Sequence, residues 1–238
     1  MKRKIGILVL IGVLCVALVG CKKKEEKKII EPVDEPVVGG WETVLTNSSQ
    51  LLEEKEQNAF DAAVKDYTEL ELKAVALLGQ QVVAGTNYMF LAKGYEQGNE
   101  ENASYKIVVV YNDLNNNASL TRVSDFVVSK YASKDISNTS ENLSGGWNVS
   151  IPGKPIMLEE DIQNIFDKAV ENVQGITYYP IATVAKQVVA GTNYAVLCFG
   201  RPDDSKPEGI YLLTIYKDLQ GNQELTSQAY VSLADYNQ

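Results

Sequence analysis

The chain alternates between one-sided helical stretches and strand-like runs, in an order that occurs twice. In the second half, apolar residues recur at helical spacing on one face: Leu158, Ile162, Ile165, Phe166, Ala169, Val170 and Val173. The corresponding face in the first half consists of Leu52, Ala59, Phe60, Ala63, Val64 and Tyr67. A helix with one apolar face must cover another surface, so we expect each helix to lie across a sheet.

Strand-like runs follow each predicted helix. In the second half they cover residues 178–190, 192–199, 210–216 and 224–231, which are rich in Val, Ile, Leu, Tyr and Thr. Tight connections are expected at Ala-Gly within QVVAGTN and at the segments Asn115–Ala118 and Gln220–Asn222. We therefore predict an α+β fold class: two domains, each a long helix packed across a four- to five-stranded antiparallel sheet.

An internal repeat sets the predicted domain boundaries. Gly-Gly-Trp at 39–41 and QVVAGTNY at 81–88 both recur 106 residues later, at 145–147 and 187–194. Beyond that stretch the matches are 105 residues apart, as with Tyr111 and Tyr216. The predicted organisation is a leader at 1–20, a tether at 21–38, a first domain at 39–129, a polar linker at 130–144 and a second domain at 145–238.

The N-terminus has the pattern of an export signal. Basic residues Lys2–Lys4 precede an apolar run, Ile5–Val19, as in secretory leaders. The ending Leu-Val-Gly-Cys at 18–21 resembles the lipobox of bacterial lipoproteins, which implies lipidation of Cys21 and an outward-facing position on a bacterial membrane or cell surface. The alternatives to lipidation are an ordinary signal peptide with a chance cysteine and an uncleaved anchor. The charged and proline-containing residues 22–38 then predict a solvated tether.

Charge and composition exclude several function classes. Without the leader the chain has 19 basic and 31 acidic residues, a net charge of −12, which disfavours nucleic acid and limits membrane contact to the lipid. The chain has no histidine, which excludes Ser-His-Asp and Cys-His catalysis. Cys198 lies in an apolar strand and is expected in the core. The segments from Asp113 and Asp218 lack the closing Glu of a calcium loop and predict hairpin turns. We predict no enzyme activity, no cofactor and no metal site.

The repeated motif resembles a known inhibitor family. Gln81–Gly85 and Gln187–Gly191 resemble the Gln-X-Val-X-Gly motif of cystatins, the protein inhibitors of papain-like cysteine proteases. Each copy follows a glycine pair and a predicted helix, which is the order in the family, and the continuation Thr-Asn-Tyr is typical of its disulfide-free, stefin-like branch. The resemblance implies a wedge of three elements that enters the active-site cleft of the protease, with no chemistry by the inhibitor.

The resemblance also implies which residues contact the protease. In the first domain they are Gly39, Gly40, Gln81, Val82, Val83, Ala84, Gly85, Asn115, Asn116 and Asn117. In the second they are Gly145, Gly146, Gln187, Val188, Val189, Ala190, Gly191, Gln220, Gly221 and Asn222. The second turn lacks the Pro-Trp pair of many cystatins. Trp41 and Trp147 follow the glycine pairs and are expected to anchor the start of each domain against the sheet or helix. The alternative is that they fill a subsite of the protease.

The predicted function is therefore a surface-tethered inhibitor that binds one or two papain-like cysteine proteases per chain. The alternative is a non-inhibitory protein-binding or structural surface module, in which QVVAGTNY is only a hairpin with fixed internal contacts. The inhibitor is favoured over the non-inhibitory module if the two turns and the glycine segment lie side by side at one end of the sheet.

Overall fold

The computed structural model describes residues 42–43, 52–132, 147–149, 158–204, 206 and 208–236, with the backbone alone at 42–43 and 147–149. The predicted leader, Cys21, the tether and both glycine pairs lie outside these residues. Within them, each repeat forms one five-stranded antiparallel sheet in which strands adjacent in the chain are adjacent in space.

The two repeats contain one α-helix and five strands each, in the same order. The first repeat consists of β1 (Glu42–Thr43), α1 (Glu54–Val64), β2 (Glu71–Val83), β3 (Gly85–Tyr95), β4 (Ser104–Asn112) and β5 (Ala118–Asp125). The second repeat consists of β6 (Trp147–Val149), α2 (Glu160–Val170), β7 (Ile176–Val189), β8 (Gly191–Pro202), β9 (Gly209–Lys217) and β10 (Gln223–Val231). The strands of the second repeat lie within a few residues of the predicted runs.

Both helices are short, with 11 residues each. Each begins with acidic residues in its first turn, where negative charge interacts favourably with the helix dipole. Each ends in a tight turn: the amide of Tyr67 donates to the carbonyl of Val64, and that of Val173 to the carbonyl of Val170, both at 3.0 Å.

The predicted fold class is wrong. We expected two cystatin-like α+β domains, each with a long helix, whereas the described part of the chain is mostly β and each of its two helices makes about three turns. The apolar spacing extends beyond the helical backbone: Leu158 precedes α2 and Val173 lies in the turn after it, yet both pack against the same core. The spacing therefore identified the residues that cover the sheet and overestimated how many of them are helical.

Each helix covers one face of its own sheet. In the first repeat, Ala59 and Phe60 of α1 pack with Tyr88, Phe90 and other residues of the sheet. The rings of Phe60 and Phe90 meet edge to face at 5.1 Å. In the second repeat the corresponding core includes Cys198, which is fully buried, so its predicted core position is confirmed. Burial raises the pKa of the Cys198 thiol.

The opposite faces of the two sheets pack against each other. Their buried side chains form one core shared by both repeats, which includes Leu78, Met89, Leu91, Ile107, Ile181, Val184, Leu197 and Leu212. The described chain is thus a stack of four layers: helix, sheet, sheet, helix. Ala132, at the start of the predicted linker, is also buried in this shared core.

Candidate functional site

Two turns lie side by side at one end of each sheet. A Cβ built on Gly85, in the β2–β3 turn, would lie 2.5 Å from the carbonyl oxygen of Asn112 and 3.1 Å from the Cα of Asp113, at the start of the β4–β5 turn. The first tip is defined as Gln81–Gly85 with Asp113–Asn117, and the second tip as Gln187–Gly191 with Asp218–Asn222. The structure thus brings together two of the three predicted protease-binding elements in each repeat.

The glycine of each motif copy is required by the backbone. Gly85 has φ +127° and Gly191 has φ +131°, a region that side-chain-bearing residues rarely adopt. A Cβ at either position would also collide with a backbone carbonyl of the neighbouring turn, that of Asn112 or Lys217. The two glycines therefore permit both the turn and its close contact with the next hairpin.

A tyrosine of the adjacent hairpin holds each motif turn. The hydroxyl of Tyr111 donates a hydrogen bond to the carbonyl of Ala84, and the hydroxyl of Tyr216 donates to the carbonyl of Ala190. This contact restrains the exposed turn, and a restrained turn has little conformational entropy left to lose.

The glutamine and asparagine of QVVAGTNY bind each other. Asn87 Nδ2 donates to Gln81 Oε1 at 2.7 Å, and Asn193 Nδ2 donates to Gln187 Oε1 at the same distance. The members of each pair lie directly opposite on neighbouring strands. An internal contact therefore accounts for the identity of these two positions in both repeats.

Replacing this pair should weaken the hairpin. We expect Gln81→Ala and Asn87→Ala each to lower the free energy of unfolding by about 1 kcal/mol, since each removes one partly buried hydrogen bond. The double variant should lose less than the sum of the two single losses. Urea unfolding of the four proteins measures this coupling, and strictly additive losses would contradict the contact.

An aspartate organises the second turn of each tip. The Asp113 carboxylate accepts hydrogen bonds from the backbone amides of Asn115 (2.7 Å) and Asn117 (2.8 Å) and from Asn117 Nδ2 (2.9 Å). Asp218 makes the same three contacts with Gln220 and Asn222. Asn116, with φ 63°, supplies the left-handed position of the first of these turns.

These hydrogen bonds predict a pH dependence of the turn. Those from the side chain and backbone of Asn117 hold the pKa of Asp113 below its ordinary value. A carboxylate with a lowered pKa stabilises the turn above the ordinary aspartate pKa, and its contribution is lost as the pH falls through the lowered value. The amide shifts of Asn115 and Asn117 should therefore titrate with a midpoint below the ordinary pKa of aspartate.

An NMR titration checks this prediction, with Asp113→Ala as the control in which these two shifts should stay constant. A midpoint at or above that of free aspartate would contradict it.

Exposed apolar side chains concentrate at the tips. Among the described residues, seven large hydrophobic side chains are exposed, and six of them belong to the tips. In the first tip they are Val82 (72% exposed), Val83 (44%) and Leu114 (81%); the second tip has Val188, Val189 and Leu219. Clustered exposed apolar residues mark binding surfaces more often than isolated ones do.

Leu114 and Leu219 are the site residues that sequence reasoning missed. The predicted site contains Asn115–Asn117 and Gln220–Asn222 but not the leucine that precedes each of these segments. The available signal was an Asp-Leu pair repeated at 113–114 and 218–219, with a large apolar residue inside an otherwise polar turn. Together with the exposed valines of the motif, each leucine extends the apolar cluster of its tip.

The first strand of each sheet runs beside the motif. Glu42 pairs with Gln80 and Trp147 pairs with Gln187, so the short strand after each glycine pair borders a tip. The predicted contacts of Gly39, Gly40, Gly145 and Gly146 lie outside the described residues. The side chains of Trp41 and Trp147 do as well, so their predicted anchoring stays a prediction.

The described part of the chain contains no cluster of cysteine and acidic side chains suited to hold a metal ion. Among the helices described there, none has both the length and the apolar character needed to cross a membrane. No family model matches this chain, and no curated protein matches it.

Proposed function

We propose that this protein inhibits papain-like cysteine proteases by inserting its tips into the active-site cleft, while a lipid on Cys21 holds it outside a bacterial membrane. The observation that carries the proposal is the concentration of exposed valine and leucine side chains at both tips. The first turn of each tip has the sequence Gln-Val-Val-Ala-Gly, which resembles the motif with which cystatins occupy such clefts.

The shape and stiffness of the tips support this mechanism. The side chains of the motif turn are small, so the turn forms a narrow edge that fits a cleft. The tyrosine contact, the Gln–Asn pair and the aspartate-centred turn restrain the tip before it meets a partner. Inhibition by occlusion needs no catalytic group, and neither helix takes part in it.

The next turn adds a second apolar contact. Leu114 and Leu219 project from the turns beside the motif and would reach the protease on one side of the cleft. They provide apolar area at the place where many cystatins carry Pro-Trp. Each repeat has a complete tip, so the proposed stoichiometry is one or two proteases per chain.

Inhibition of papain tests the proposal. Residues 22–238 are titrated against papain at a fixed concentration of peptide substrate, and the substrate concentration is then varied. We expect competitive inhibition with a dissociation constant of about 1 µM or tighter. Unchanged papain activity at about 50 µM protein would contradict it. Binding to papain without inhibition would favour the non-inhibitory protein-binding module instead.

A further inference from the structure

The two repeats contact each other through equivalent faces. The residues of the shared core occupy matching positions in the repeats, as in the pairs Val75 and Ile181, Leu78 and Val184, Met89 and Ala195, Leu91 and Leu197, and Ile107 and Leu212. Use of the same face by both partners is the property of an interface with twofold symmetry. The repeats are therefore packed as the two subunits of a symmetric dimer would be.

Two equivalent tyrosines locate the axis of this arrangement. Tyr131 and Tyr236 occupy the same position in their repeats, 105 residues apart, and their hydroxyl oxygens are 3.2 Å apart. In a twofold arrangement, a residue meets its own counterpart only beside the axis. The approximate twofold axis thus passes next to these two hydroxyls.

The residues before the tyrosines carry opposite charges. Lys130 and Asp235 are also counterparts, and Lys130 Nζ lies 2.7 Å from Asp235 Oδ2. The ammonium is also 5.4 Å from the ring centres of both Tyr131 and Tyr236. Lys130 and Asp235 therefore occupy the same position in the two repeats, carry opposite charges and contact each other across the axis.

We infer that the inner face of each repeat is an interface selective for the other repeat, and that Lys130 and Asp235 provide the selectivity. Two copies of the first repeat would bring two lysines together at the axis, and two copies of the second would bring two aspartates together. Like charges at such a distance disfavour both wrong pairs, while the apolar core supplies most of the affinity. This inference does not depend on the proposed function.

Cutting the chain between the repeats tests the pairing. A recognition sequence for a site-specific serine protease is inserted between residues 138 and 139 of the protein containing residues 22–238, and the cut protein is analysed by sedimentation. We expect the two fragments to remain together as a single 1:1 pair at about 1 µM. Fragments that separate at that concentration, or that form pairs of identical fragments, would overturn the inference.

Charge exchange tests the selectivity and the axis. Lys130→Asp should raise the dissociation constant of the cut fragments by about three- to tenfold, because one attraction becomes a repulsion between partly exposed groups. The double variant Lys130→Asp with Asp235→Lys should restore the dissociation constant to within about twofold, since symmetry places the new lysine over the same two rings. Lys73→Asp, which breaks an ion pair with Glu100 inside the first repeat, is the matched control and should leave association unchanged.

The result that would overturn the selectivity is a single variant that associates as tightly as the parent protein. A double variant as weak as Lys130→Asp would overturn the twofold arrangement.

Discussion

A single negative charge on a tip should greatly weaken the proposed inhibition by that tip. Val82 is 72% exposed and supports no part of the core, so Val82→Glu should leave the fold intact. In the complex, the carboxylate would be moved from water into an apolar contact without a partner, which costs about 3 kcal/mol. We expect the affinity of the first tip for papain to fall by roughly 100-fold.

The second repeat offers the equivalent change, Val188→Glu, and the pair of variants separates the two tips. If both tips inhibit, each single variant should keep one binding site per chain and the double variant should keep none. Titration of papain to complete inhibition counts the sites. Thr121→Glu, at an exposed position of β5 away from the tip, is the matched control and should inhibit like the parent protein. Full inhibition by the double variant would contradict the assignment of the tips.

Removing one side chain from the shared core should destabilise both repeats together. Leu91 and Leu197 are equivalent residues, both fully buried between the sheets. Replacing either by alanine removes buried apolar area and leaves a cavity, at a cost of about 3 kcal/mol. Because the core belongs to both repeats, we expect a variant in one repeat to lower the stability of the other.

Hydrogen exchange under native conditions measures this coupling strand by strand. In Leu91→Ala, the amides of β8 and β9 should exchange faster along with those of β3 and β4. Leu197→Ala should have the reciprocal effect on the first repeat. Val83→Ala, at an exposed position of the first tip, is the control and should leave exchange in both sheets unchanged. A change confined to the mutated repeat would show that the repeats unfold independently.

The sequence predicted the strands and the connections between them better than the helices. The strands of the second repeat and both tight connections follow from β-branched runs separated by glycine and asparagine. The helices were overestimated because apolar residues at helical spacing continue into the segments before and after them, as with Leu158 and Val173. The spacing of apolar residues shows which side chains share a face, but it does not show whether the backbone at each of these residues is helical.

The packing of sheet against sheet could not be read from one sequence. Continuous apolar runs such as Val108–Val110 are typical of strands that are buried on both faces, and this was a usable signal. It does not identify what covers the second face. In this protein the second face of each sheet is covered by the other repeat. The sequence also does not show that Lys130 and Asp235 lie close enough to form an ion pair.

The proposed inhibition requires that the tips, and not another surface, contact the protease. Hydrogen exchange of residues 22–238 at short labelling times, with and without papain, measures this contact directly. We expect slower exchange at Gln81–Gly85 and Asp113–Asn117, at the equivalent residues of the second repeat, or at both, with no change in α1 or α2. Unchanged exchange at both tips in the presence of saturating papain would contradict it.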